Sequence, residues 1–207
     1  MITLKNESKY SQFGQDSFVL DYFNNKRNGI FIDIGAYDGV SLSNTYYLEK
    51  ELGWTGICFE PIPNIFNKLE KNRNCVKIMA GVSNKSGPEI FTYIIGHGEM
   101  LSGITQDYDT KHLQLIKEVG GINEELSLKT VVLDDILEEY KIYEIDYLSL
   151  DTEGSELKIL KSINWDKFNI KVMTIENAYN KFEQTDFVLS KGYHLLSRLG
   201  VDDVFIK

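Results

Sequence analysis

Residues 31–39 read FIDIGAYDG. Phe31, Ile32 and Ile34 surround one acid, Asp33, and two glycines follow four residues apart, at Gly35 and Gly39. A short, nearly continuous apolar run (29–34) suits a strand buried on both faces, and the glycines mark the turn that leaves it. Such a strand needs helices above and below it, so the stretch points to an α/β sandwich. It also says where a ligand belongs, because open α/β sheets bind beyond the carboxyl ends of their strands.

Strand-like runs recur at 56–60, 75–79, 146–150 and 170–175, and helical stretches at 44–52, 64–71, 155–161 and 182–190 alternate with them. The alternation predicts a three-layer sandwich around a mostly parallel sheet with right-handed crossovers. The tail, GYHLLSRLGVDDVFI, reads as two β-runs joined by a tight turn, an antiparallel hairpin that closes the sheet. Residues 1–28 read as an N-terminal helical segment. Residues 81–131 break the rhythm: strand-like EIFTYII and LSLKTVV flank a polar, glycine-containing stretch. That is the pattern of an inserted hairpin or lid. Asp134 is placed to cap ILEEY, and Ser155 to cap ELKIL.

The bulk properties exclude several functions. At 207 residues the chain has room for one ordinary domain. A net charge of −9 opposes a long phosphate-binding face, so nucleic acid is not an expected partner. Cys58 and Cys75 lie in apolar runs and read as buried free thiols. His97, His112 and His194 fall in no metal-binding spacing. The start, MITLKNESKY, lacks the apolar core of a signal peptide, and no apolar run approaches the roughly 18 residues of a membrane span. The expectation is a cytoplasmic protein; a larger multidomain parent chain or a homodimer stays open.

The chemistry gathers at the strand ends. Asp33, Glu60, Asp151 with Glu153, and Glu176 follow four of the five parallel runs. Acids at one rim repel each other, so the pattern asks for a polyhydroxylated, cationic or metal-bound ligand. A dinucleotide loop needs a middle glycine for the pyrophosphate. Here Tyr37 occupies that place, and Asp38 would repel a phosphate. Glu60, 25 residues after Gly35, stands where an acid takes ribose hydroxyls. Adenosine without phosphate describes S-adenosyl-L-methionine, whose sulfonium favours carboxylates and aromatic faces. A nicotinamide-dependent oxidoreductase is the alternative, opposed by Tyr37; a module that binds S-adenosylmethionine without catalysis is another.

Together SQFGQD (11–16), FIDIGAYDG (31–39), SNTYYLEKELGWTGICFEP (43–61), DYLSLDTEGSE (146–156), IEN (175–177) and GY (192–193) resemble the FkbM family of S-adenosylmethionine-dependent methyltransferases. The resemblance runs from about residue 11 to the end and is weakest over 81–131. It implies a class I methyltransferase fold, Rossmann-like, with a seven-stranded sheet and one antiparallel strand. It also implies O-methylation of a hydroxyl, most often on a sugar of a glycan or glycosylated product, with 81–131 choosing the acceptor. By position, Asp33 organises the loop by accepting from its amides, and Gly35 and Gly39 shape the turn. Ala36 and Tyr37 offer backbone to the methionine portion. Ser43 and Asn44, with Thr45, either cap the next helix or hold the methionine carboxylate. Glu60, with Pro61 beside it, takes the ribose, and Ser83 or Val82 borders the adenine. Gln12, Gln15 and Asp16 precede the first strand and are placed to fold back over the cofactor, with a plain helix start as the alternative for Asp16. Asp151 (also counted with the cofactor) and Glu153 lead as bases toward the acceptor hydroxyl, and Glu176 follows. No metal ligand is assigned; a divalent cation on these three carboxylates is the alternative to a base.

Overall fold

The computed structural model describes residues 9–207, so residues 1–8 of the expected N-terminal segment lie outside it. The first half runs α1 (Gln15–Tyr22), β1 (Ile30–Ile34), α2 (Tyr46–Leu52), β2 (Thr55–Phe59), α3 (Pro63–Asn72) and β3 (Val76–Ile78). Residues 81–131 then hold β4 (Gly81–Val82), β5 (Gly87–Ile95), β6 (Gly103–Ile104), α4 (Thr110–Val119) and β7 (Ile122–Val131). The second half runs α5 (Leu133–Glu139), β8 (Glu144–Leu150), α6 (Glu156–Ser162), β9 (Asn169–Glu176), α7 (Phe182–Ser190), β10 (His194–Leu199) and β11 (Asp202–Ile206).

β1 lies inside the main sheet because its side chains are buried on both faces. Ile32 and Ile34 pack with Ile57, Phe59, Leu148 and Leu150 on one side. Phe31 packs with Cys58, Tyr147, Val172 and Val204 on the other. The seven strands run in the order β10-β11-β9-β8-β1-β2-β3. All pairs are parallel except those of β11, which is antiparallel to both β9 and β10. The expected closing hairpin is therefore present. The chain leaves β1 toward β2 on one side and returns to β8 on the other. This is a switch point, and it opens a crevice between the loops that follow β1 and β8. Among the described residues no helix is long and apolar enough to cross a membrane.

The region 81–131 builds its own four-stranded sheet, β4-β7-β5-β6, around a long β5–β7 hairpin running from Gly87↔Thr130 to Ile95↔Ile122. It also contains α4, which the sequence reading did not separate from its polar surroundings. Asp109 caps α4 by accepting from the amides of Lys111 and His112 at 3.0 and 2.9 Å. Two expected caps are corrected. Asp134 lies inside α5, and its carboxylate accepts from the Asn164 amide at 3.0 Å. Ser155 stands at the start of α6, but its hydroxyl donates to Asp107 at 2.5 Å. The neighbouring Glu156 carboxylate accepts instead from the amides of Thr152 and Gly154, at 2.8 and 3.1 Å.

Candidate active site

The loops after β1 and β8 meet backbone to backbone. The Asp151 amide donates to the Ile34 carbonyl at 3.0 Å. A Cβ on Gly35 would fall 1.7 Å from the Asp151 carbonyl oxygen, and the φ of Gly35 is +88°, so this contact requires glycine. A cavity of about 290 Å³ opens on this rim. The strand ends form its floor. Glu99 to Ile104 of the insert cover it, Gln12 and Gln15 close one side, and Val201 and Asp202 from the β10–β11 turn close another.

The residues expected to hold the cofactor line this cavity except Asp16, Gly39, Thr45 and Ser83. A Cβ at Gly39 would meet Leu69 and Arg73, so this glycine serves packing beneath the loop. Ser83 is buried with its hydroxyl donating to Glu89 at 3.1 Å, because the chain turns into the insert after Val82. Ser43 takes the capping role: its hydroxyl accepts from the amides of Thr45 and Tyr46 at 3.3 and 3.1 Å. Asn44 donates to the Ser149 hydroxyl at 2.9 Å, and its buried Oδ1 has no partner. Asp16 does not reach the cavity; it anchors the segment before α1, accepting from the Lys9 and Tyr10 amides and the Ser11 hydroxyl.

Loop organisation differs from the expectation. Asp33 accepts from the Thr45 hydroxyl at 2.5 Å rather than from loop amides. Burial pushes its carboxyl up, opposed by Arg73. Arg73, 1% exposed, donates to Glu49 at 2.6 Å, to the Thr45 hydroxyl at 3.0 Å and to the Gly39 carbonyl at 3.3 Å. The amides of Gly35 and Ala36 both donate to the Phe59 carbonyl, at 3.2 and 3.0 Å. The Tyr37 amide bonds the Glu60 carboxylate. These three loop amides are thus occupied within the protein, including those of Ala36 and Tyr37, whose backbone was expected to meet the methionine portion.

Glu60 is 5% exposed and accepts from the Ile62 amide at 2.8 Å. Burial pushes its carboxyl up to about 8. Above it, Glu99 clasps two tyrosines: Tyr37 donates to it at 2.5 Å and Tyr93 at 2.9 Å. Glu99 escaped the sequence reading because it lies in the insert, where no motif marks it.

The acids on the other side are crowded. Asp151, Glu153 and Glu176 offer oxygens that lie within 4.8 Å of one another, close enough to share a proton or a cation. Burial first raises all three; repulsion from Asp202, Glu156 and Asp33 adds to it at Asp151, where a hydrogen bond with Glu176 opposes it, and repulsion from Asp151 adds to it at Glu153 and Glu176. Asp151 and Glu153 line the main cavity; Glu176 does not. It borders a second cavity of about 10 Å³ with His112 and Tyr179, room for about one water. His112 Nε2 donates to the Leu101 carbonyl at 3.1 Å, which leaves Nδ1 facing Glu153 at 3.4 Å. Asp202 also reaches the main cavity, accepting from the Gln15 amide group at 2.8 Å. Burial raises Asp202 to about 6, an effect that Gln15 reduces. Both His112 and Asp202 were missed as site residues. For Asp202 the available signal was the hairpin itself, since an antiparallel strand starts at the rim where its parallel neighbours end.

The model of the methyltransferase FkbM domain matches residues 33–198. The chain belongs to the FkbM methyltransferase family. Among solved structures, the methyltransferase FkbM from Methylobacillus flagellatus KT aligns over 88% of this chain and 44% of its own, with 15% identity and a TM-score of 0.50. This FkbM-family chain thus shares the α/β methyltransferase fold and spans less than half of that protein. Precorrin-6y C5,15-methyltransferase from Geobacter metallireducens GS-15 aligns over 86% of this chain and 71% of its own, with 10% identity and a TM-score of 0.48. No curated protein matches the chain.

Proposed function

We propose that this FkbM-family protein transfers a methyl group from S-adenosylmethionine to a hydroxyl of a sugar or related polyol. The observation that carries the reading is the state of the loop amides. Those of Gly35, Ala36 and Tyr37 are consumed by Phe59 and Glu60. None of these three remains for a pyrophosphate, which disfavours a nicotinamide dinucleotide. A buried carboxyl at Glu60 still suits a ribose diol, and the orphaned Asn44 Oδ1 suits an ammonium donor such as the methionine amine. Bound S-adenosylmethionine would supply an electrophilic methyl on a positively charged sulfur. The chain's own work is to align the acceptor and remove one proton. Asp151 and Glu153, at the cavity wall, are the groups proposed to take that proton from the hydroxyl.

Calorimetry with S-adenosylmethionine tests the cofactor, with NADH as the competing ligand. Binding of NADH but not of S-adenosylmethionine would reverse the assignment. For the base, Asp151→Asn should lower turnover at saturating cofactor by about 10²-fold or more, the scale of general-base loss. Undiminished turnover would take Asp151 off the list.

A further inference from the structure

Six acidic residues line the main cavity: Asp33, Glu60, Glu99, Asp151, Glu153 and Asp202. Among the described residues no lysine, arginine or histidine lines it. Three of the six are engaged on the cofactor side, Asp33 by Thr45, Glu60 by backbone amides and Glu99 by two tyrosines. The other three are Asp151 and Glu153, on the turn after β8, and Asp202, the first residue of β11. Gln15 gives Asp202 one neutral donor, and His112 meets Glu153 from outside the cavity. Glu176 adds a fourth acid directly behind.

We infer that this half of the cavity takes an acceptor that carries a protonated amine beside its hydroxyl, an amino-substituted sugar or polyol, and refuses phosphorylated or carboxylated acceptors. The inference rests on the methyl-transfer reading and names its substrate class. An ammonium brings three donors and no acceptor, the complement of a wall made of carboxylates. An anionic acceptor would find no arginine or lysine to receive it: beside ionised carboxylates it meets like charge, and beside protonated ones it holds them protonated and leaves no base. The ammonium has a second effect. Burial, then neighbouring acids, pushes Asp151 and Glu153 up, and a cation among them favours their ionised form. The seated amine thus creates the base. The hydroxyl oxygen forms its bond to the methyl carbon, the carbon–sulfur pair stays on sulfur, and the hydroxyl proton passes to one of the ionised carboxylates.

Two measurements on the full chain test this. In the first, the protein saturated with S-adenosylhomocysteine is melted in the presence of 2-aminoethanol, glycerol or glycerol phosphate, all with chelator. 2-Aminoethanol should raise the melting temperature more than glycerol, and glycerol phosphate should not raise it. The double variant Glu153→Gln, Asp202→Asn should lose the gain. Equal effects of 2-aminoethanol and glycerol, or a gain that survives in the double variant, would overturn the inference. So would a switch to glycerol phosphate when magnesium replaces chelator, because the acids would then be a cation site. In the second, methyl transfer is compared across matched hexosides bearing an amine, an N-acetyl group or a carboxylate. The amine should lead the N-acetyl form by about tenfold in kcat/KM and the carboxylate by about a hundredfold, the scale of one charged hydrogen bond and of one like-charge contact. Parity among them would overturn the inference while leaving methyl transfer intact. Failure of S-adenosylhomocysteine to bind would sink both readings together.

Discussion

Glu60 sits in the cavity wall with only 5% of its surface exposed, and burial holds its carboxyl near 8. At pH 7 the free protein therefore carries a proton there. Ribose hydroxyls are donors and favour the ionised form, so cofactor binding should release that proton. Calorimetry at pH 7 in two buffers of different ionisation enthalpy measures the release. Glu60→Gln should reduce it by up to about one proton and weaken binding by about 1–3 kcal/mol, the scale of lost charged hydrogen bonds. An unchanged proton count would show that Glu60 does not meet the ribose. Arg73 is the structural counterpart. Its removal in Arg73→Met strands Glu49 and Asp33 in the interior and should cost about 3–5 kcal/mol in urea unfolding. Glu60 was legible from its spacing after Gly35, since both follow neighbouring parallel strands. Asp202 was not, because its place at the rim depends on the reversed direction of β11. Of the two residues offered for the adenine, Val82 lines the cavity and Ser83 does not, because counting to the strand end cannot show that the chain then turns away.

At the scale of elements, the sheet was easier to read than the insert. β1, β2, β8 and β9 are short and buried on both faces, so their composition is nearly continuous and distinctive. β5 and β7 are half exposed, and α4 alternates charged with apolar residues, so its Asp109 cap was the best clue to it. What the insert does is set by contacts distant in sequence. Its turn at Asp107 lies so close to Gly154 that a Cβ there would come 2.9 Å from the Asp107 carbonyl, and Gly154 has a φ of +124°. On the other side, Glu99 ties the cover of the cavity to Tyr37 of the β1 loop. Glu99→Ala removes both tyrosyl hydrogen bonds while leaving the main sheet untouched. Amide exchange should therefore speed up over residues 98–104 and stay slow in β1 and β8. Affinity for S-adenosylhomocysteine should fall about tenfold. Unchanged exchange across 98–104 would mean that the cover is held by apolar packing alone.

For the whole molecule, two sets of acids pull stability in opposite directions with pH. Asp16, Glu49, Asp109 and Asp146 all have lowered pKa values: hydrogen bonds from Ser11 and nearby amides, the Arg73 charge, the His112 amide, and Lys171, respectively, outweigh their burial. Their contribution is present above the ordinary carboxylate range and is lost as pH falls through the folded values. Glu60 and Asp202 are raised, to about 8 and about 6, from ordinary values of 4.5 and 3.8. The folded state then binds protons that the unfolded chain has released, so their contribution is full below about 4 and fades as pH rises through the folded values. The ligand-free protein should accordingly be most stable between these ranges, near pH 5, with a melting temperature that declines from pH 6 to 8.5. Repulsion from the net charge of −9 acts in the same direction, so the decline alone does not single out the site. Glu60→Gln separates the two causes, because it removes one buried titration from this window, that of Asp151 remaining, and leaves the surface charge nearly as it was. Calorimetric melting of the variant should show a shallower decline than the parent across pH 6–8.5. Saturating S-adenosylhomocysteine should flatten the parent in the same way, since a ribose-bound carboxylate no longer gives up its proton in that window. A parent whose melting temperature rises over this window would mean that the cavity acids are already ionised in the free protein, and the proton-release experiment on Glu60 would then give nothing as well.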